Sequence, residues 1–318
     1  MCTLTRLTIL PPVERPPRVI AIFGPTGVGK TEVAVALAER LRAAGEAPVA
    51  VSADALQVYD GLPILTGAAT PAEQDRLEHR LLGFVPIAEP FSAGAYARRA
   101  HAEIDAALAA GRRPIVVGGT GLYLRAALAE LDLRPPPARG ARERLQQALE
   151  ERGPAALHAL LAERAPETAA AVAPADGRRI VRALELLDAG AEPPPPPGAP
   201  SQLWTTETRH PTLLAGLVMD RRALAERIDR RVDAMVAAGV IEEVRRADAL
   251  GASPTARKAL GFSELLDGDV EATKARTRRY AKRQLTWMRK LPAAQILDVT
   301  GRDPSDVAAE LHGMIRGA

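Results

Sequence analysis

The 318-residue chain has one cysteine, Cys2, which excludes an internal disulfide and any cysteine-rich metal site. Aromatic residues are only 3% of the chain, so a core must be packed from Ala, Leu and Val; with 47% apolar residues, that core can be large. No apolar run approaches the ~18 residues a membrane-spanning helix needs. Pro11, Pro12, Glu14, Pro16 and Pro17 interrupt any apolar signal core, so residues 1–17 are expected to form a loose leader on a cytosolic protein. A dominant charge is missing too. The net charge of +3 does not by itself demand a nucleic-acid partner, so the clustering of charge must decide. His79, His101, His158, His210 and His312 show no metal-ligand spacing and read as structural.

What is present begins with Gly24-Pro25-Thr26-Gly27-Val28-Gly29-Lys30-Thr31. The apolar run Val19 to Phe23 precedes it, and Val33, Ala36, Leu37 and Leu41 follow at helical spacing. Strand, glycine loop and helix form the context of a phosphate-binding loop. The glycines let backbone N–H groups converge on an anion, and the helix N-terminus adds its positive end. Lys30 would reach the terminal phosphate oxygens and the Thr31 hydroxyl would ligate Mg²⁺. A glycine turn beside a surface lysine is the plainer alternative, and the complete spacing with correct flanks argues against it.

Further strands are expected at Pro48 to Ser52, Pro114 to Val117, Thr212 to Val218 and Gln295 to Val299. The helices between them read as 71–82, a Ser92-capped helix to Ala110, 221–238, 240–250, 255–267 and 270–290. Such alternation predicts a doubly wound parallel sheet. From 124 to about 190 the pattern is helical only, bordered by Pro135-Pro136-Pro137 and Pro193 to Pro197. The expected organisation is a core of 18–128 and 204–318, with C-terminal basic helices and an all-helical insertion at 129–203.

A phosphate-loop ATPase usually ends a later strand in an acidic residue. Here Ile115-Val116-Val117 runs into Gly118-Gly119-Thr120-Gly121, which weakens a motor or switch-GTPase reading. Asp54, at a strand end, could accept a proton from a nucleophile or merely cap a turn; the residues alone leave both open. Between Lys274 and Lys290 no acidic residue intervenes among Arg276, Arg278, Arg279, Lys282, Arg283 and Arg289. With Gln284 and Trp287 nearby, this helix suits RNA, although a solvated basic face remains the alternative. Other cationic sites are Arg178, Arg179 and Arg182, and Arg227, Arg230 and Arg231. Trp204 and Trp287 read as core residues or as stacking platforms.

Taken in order, the phosphate loop, Ser52-Ala53-Asp54, Gln57 to Gly61, His79 to Leu82, Gly118 to Tyr123, Arg178-Arg179 with Arg182 to Glu185, Leu260-Gly261-Phe262 and Lys282 to Arg289 resemble the bacterial tRNA dimethylallyltransferase family. The resemblance spans nearly the whole chain. It implies a P-loop NTPase-like fold, with the diphosphate of dimethylallyl diphosphate held with Mg²⁺ by the loop, Lys30, Thr31 and Arg231. Asp54 would act as general base on N6 of the adenosine 3′-adjacent to the anticodon, flipped out of the anticodon stem-loop. Thr120 would stand beside the base or prenyl group. Ala55, Leu56, Gln57, Arg142, Arg178, Arg179, Ile180, Val181, Arg182, Lys258, Gly261, Phe262, Lys282, Arg283, Gln284, Trp287 and Arg289 would contact tRNA. The family's frequent serine after the aspartate is Ala55 here, and the stretch Ile64-Leu65-Thr66-Gly67-Ala68-Ala69-Thr70-Pro71 replaces a common Gly-Thr-Ala-Lys-Pro run, which removes a lysine near the site. A monomer is expected. The competing readings are a nucleoside or metabolite kinase, a prenyltransferase of free adenine nucleotides, and an RNA-binding NTPase module.

Overall fold

The computed structural model describes residues 16–134, 140–192 and 202–317. Cys2, nearly all of the 1–17 leader and both proline runs lie outside these residues. The elements of the core are β1 (Val19–Phe23), α1 (Lys30–Ala43), β2 (Pro48–Ser52), α2 (Pro63–Thr66), α3 (Pro71–Arg76), β3 (His79–Arg80), α4 (Ala93–Ala109), β4 (Arg113–Gly118) and α5 (Gly121–Leu128). After α6 (Ala141–Arg164), α7 (Pro166–Ala171) and α8 (Gly177–Asp188), the core resumes with β5 (Thr212–Val218), α9 (Arg221–Ala237), α10 (Val240–Ala249), α11 (Phe262–Leu266), α12 (Val270–Met288), β6 (Gln295–Asp298) and α13 (Pro304–Arg316).

The six strands are all parallel, in the order β3-β2-β4-β1-β5-β6. Every residue of β1 and β2 is buried, as expected of strands covered on both faces. Side chains alternate across a strand, so Ile20 and Ile22 meet Val33, Leu37 and Leu41 of α1 and Leu311 and Ile315 of α13 in one core. Elsewhere along β2, α4 sends its buried Tyr96 hydroxyl to the Ser52 carbonyl at 2.9 Å, and Tyr123 of α5 packs on the Tyr96 ring. Ser92 caps α4 by accepting from the Ala95 N–H.

Two helical expectations are corrected. Residues 71–82 are not one helix: α3 ends at Arg76, and His79 and Arg80 form an edge strand registered with Ala50 and Val51. Backbone pairing with β2 overrode local helical preference there. Residues 255–267 likewise break, because Gly261 adopts φ 88° ahead of α11. Its Cα also packs against Thr273, so a side chain at that position would be both strained and obstructed.

Compactness divides the chain into 131–202 and all that flanks it. Within the smaller unit, Leu157, Leu161, Ala169, Ile180, Val181, Ala183 and Leu184 form its own core. Gly153 leaves helical geometry just before Pro154, whose ring cannot continue a helix, and so breaks α6 into two arms.

Candidate active site

Parallel register brings the site together. Phe23 is level with Gly118, and Ser52 with Val117, so the phosphate loop, Ala53-Asp54 and Gly118-Gly119 leave the same edge of the sheet side by side. The strand order reverses about β1, and such a switch point at the carboxyl ends is where open α/β sheets bind ligands. A cavity of about 390 Å³ opens there, lined among others by Thr26, Gly27, Gly29, Lys30, Thr31, Asp54, Gln57, Arg231, Tyr280 and Gln284.

Gly27 and Gly29 take φ 81° and 99°, the left-handed turns that aim successive N–H groups at one point. Gly24 and Val28 are buried beneath the loop and Pro25 with them. Lys30 opens α1, and its ammonium donates to the carbonyls of Gly24 (3.1 Å) and Pro25 (2.9 Å). Burial lowers its pKa to about 8, against the opposing pull of the Asp54 carboxylate, while Arg231 lowers it further. Burial also lowers the Arg231 pKa, again opposed by Asp54. Two cations and one carboxylate therefore share a poorly solvated space, which suits a multiply charged anion.

Asp54 caps the turn and also lines the cavity. Its Oδ1 accepts from the Leu56 N–H at 2.9 Å, capping the turn, while Oδ2 faces the Thr120 hydroxyl at 3.4 Å on the cavity side. Thr120 also accepts from the Ala55 N–H at 3.3 Å. Gln57 takes a hydrogen bond from Ser52 (2.9 Å) and donates to the carbonyl of Gly67 (3.1 Å). The glycines of the 118–121 run are required: a methyl group at Gly118 would overlap the Ala53 carbonyl, at Gly119 the Gln284 amide, and at Gly121 the Trp287 ring.

Gln284 is only 4% exposed. It accepts from the Thr26 N–H (2.8 Å) and donates to the Gly119 carbonyl (2.7 Å), which spends its amide inside the protein. A second cavity, about 430 Å³, is lined by Thr120, Gly121, Arg283, Trp287 and Lys290, with Gly119, Tyr280 and Gln284 forming a wall common to both cavities. Trp204 packs on Trp287 with ring centroids 4.7 Å apart, and the Lys290 ammonium lies over Trp204.

The basic helix α12 is not uniformly unpaired. Lys274 pairs with Asp233 and Glu271, Arg276 with Glu264, and Arg278 with Asp229, so its N-terminal half is neutralised from within. Arg279, Lys282, Arg283 and Arg289 are exposed and have no ion pair among the described residues. In the 131–202 unit, Arg142 binds the fully buried Glu185 through two hydrogen bonds (2.5 and 2.8 Å) and Arg182 shares that carboxylate. Ile180 and Val181 lie in that unit's core, and Phe262 is wholly buried with Arg257 over its ring, so none of these three side chains is a surface contact. Arg178, Arg179 and Lys258 are exposed.

Tyr280 and Gly67 escape a reading of the sequence. Tyr280 is held to Thr120 by a hydrogen bond, and burial pushes its pKa up to about 12. Its signal was the spacing: Thr273, Thr277, Tyr280 and Gln284 recur every three or four residues and line one cavity. Within the altered stretch 64–71, Thr70 caps α3 in a reciprocal box with Glu73. The histidines hold no cluster suited to a metal among the described residues; His158, for one, meets the carbonyls of Ala169 and Val172. No described helix is long and apolar enough to cross a membrane.

A lysine in a glycine cradle, with a carboxylate at the end of the strand two places away, defines a phosphate-binding-loop α/β enzyme. The IPP transferase family model matches residues 57–291, and the chain belongs to that family. It is 41% identical over 304 residues to the tRNA dimethylallyltransferase of Thermobifida fusca, covering 92% of this chain and 93% of that protein. It is 42% identical over 287 residues to the Streptomyces coelicolor enzyme of the same name, covering 87% and 88%. Among solved structures, the tRNA isopentenylpyrophosphate transferase of Bacillus halodurans is similar with a TM-score of 0.67 and 34% identity, covering 94% and 96%. A eukaryotic dimethylallyltransferase acting on tRNA gives a TM-score of 0.71 at 25% identity, covering 94% and 78%.

Proposed function

We propose that this chain transfers the dimethylallyl group of dimethylallyl diphosphate to N6 of the adenosine 3′-adjacent to the anticodon of tRNA, releasing diphosphate. The observation that carries this reading is the placement of the Asp54 carboxylate in one cavity with the phosphate loop, Lys30 and Arg231. A kinase could use a carboxylate there equally well; what favours prenyl transfer is membership of the IPP transferase family and the relatives' shared activity.

The diphosphate sits on the backbone N–H groups of Gly27 to Thr31, with Lys30 and Arg231 opposing its charge. Asp54, oriented by Leu56 N–H and Thr120, keeps free lone pairs for the proton of the attacking amine. The N6–C1 bond forms as the C1–oxygen bond breaks; the N6 proton passes to Asp54 and the bonding pair leaves with diphosphate. Magnesium would fit the donor set: Thr31 lines the cavity, and its hydroxyl would hold the ion beside the diphosphate. When bound it neutralises diphosphate charge.

The second cavity, with Tyr280, Trp287 and Arg283 at its wall, receives the flipped base. Arg279, Lys282, Arg283 and Arg289 bind the phosphates of the anticodon loop, and the helical insertion, residues 129–203, is the arm that grips the stem through Arg178 and Arg179. The enzyme works as a monomer in the cytoplasm.

Labelled dimethylallyl diphosphate, Mg²⁺ and unmodified tRNA, AMP or ATP as acceptor test this directly. Label is expected in tRNA alone. Label in AMP, or phosphoryl transfer from ATP, overturns the reading.

A further inference from the structure

The carboxylate of Glu243, on α10, is 2% exposed. Its two oxygens accept from the backbone N–H groups of Ile64 (2.9 Å) and Leu65 (2.8 Å), some 178 residues away in the chain. These are first-turn donors of α2, a four-residue helix with no side-chain cap of its own. A helix this short is not stable by itself, so its geometry is imposed by what holds its ends. Glu243 holds the N-terminal end. At the other end Gln57 donates to the carbonyls of Thr66 (3.4 Å) and Gly67 (3.1 Å).

Gly67 terminates α2 with φ 56°, and its bare Cα lies directly under the Arg231 guanidinium, where a methyl group would overlap Nη. Arg231 thus rests on the backbone that Glu243 and Gln57 fix. We infer that Glu243 is a positioning residue for the anion site, acting through α2 to set the Arg231 guanidinium against the bound diphosphate. This rests on the reading of Arg231 as a diphosphate ligand, but not on prenyl transfer or on tRNA.

A buried carboxylate is costly unless its oxygens are used. Burial indeed raises the Glu243 pKa, against the two N–H groups and the Arg246 charge. An uncharged amide of the same shape would present a donor to one of those N–H groups, so it loses half the clamp while filling the same volume.

The test is a double-mutant cycle read by calorimetric binding of inorganic diphosphate with Mg²⁺ to the full-length protein. Glu243→Gln is expected to weaken binding roughly ten-fold, the scale of one charged hydrogen bond. In an Arg231→Gln background the same change is expected to do almost nothing. Gly67→Ala probes the relay from its other end and is expected to behave the same way, which keeps the test decisive if Glu243→Gln folds poorly. Losses that add across the Arg231→Gln background overturn the inference. So does a Glu243→Gln protein with lowered thermal stability and unchanged diphosphate affinity, or an Arg231→Gln change without effect on binding. Coupled losses in a protein that fails to prenylate tRNA would uphold the inference and sink only the functional reading.

Discussion

The Thr26 N–H in the phosphate loop and the Gln284 side-chain oxygen on α12 are joined by a 2.8 Å hydrogen bond across 258 residues of chain. Because the same amide also donates to Gly119, one buried side chain sets the spacing of the loop from the Gly-Gly-Thr turn. Replacing it with Leu leaves the buried Gly119 carbonyl unpaired, at a cost of about 1–3 kcal/mol, and frees the half-buried Thr26 N–H. Gln284→Leu is therefore expected to lower the urea midpoint and to weaken diphosphate binding, whereas Gln284 acting only as an RNA contact would leave both unchanged.

Asp54→Asn keeps an acceptor for the Leu56 N–H but cannot take a proton. Single-turnover prenylation is expected to fall by roughly 100-fold or more, with tRNA affinity nearly intact. A large loss of affinity at unchanged single-turnover rate would remove Asp54 from the role of base.

Lys30 titrates near pH 8 because burial disfavours its charge, whereas in the unfolded chain it titrates near 10.5. Between those values the unfolded state holds the extra proton, so this group makes the ligand-free protein more stable as pH rises from about 8 to 10.5. The proposed role of Lys30 toward diphosphate requires the charged form. Corrected for the ligand's own ionisation, affinity should be flat below about pH 7 and fall roughly ten-fold per unit above about 8, where binding takes up a proton. Lys30→Met should bind weakly and lose this slope; a slope that persists assigns it to another group.

Along α12, pairing distinguishes the cations. Lys282→Ala with Arg283→Ala should weaken tRNA binding and reduce the salt slope by roughly 1–2. Lys274→Ala, whose partners are Asp233 and Glu271, should leave that slope unchanged. Equal effects from both would mean that only total charge matters.

Much was legible in one dimension because it is local. The loop from Gly24 to Thr31 needs left-handed turns between a strand and a helix, and Gly27 and Gly29 announce them. Ser92 announces its helix by capping it. Where a distant partner decides, local reading fails. His79 and Arg80 look helical, yet an open edge of β2 made them a strand. The charge run of α12 looks unneutralised until α9 and α11 bring Asp229, Asp233 and Glu264 alongside. The Arg231 position came from resemblance alone; nothing near it in the chain says that Gly67 supports it.

By itself, then, the order of residues determined a parallel α/β core, a phosphate cradle, a carboxylate at a strand end and a cationic helix. These follow from periodicity, backbone freedom and charge within a few residues. Only the tertiary structure decided that Gln284 ties Thr26 to Gly119, that Tyr280 lines the cavity, and that Glu243 clamps α2 beneath Arg231. Each of these is a hydrogen bond or close approach between segments far apart in the chain, and such contacts exist only once the sheet has set their ends side by side.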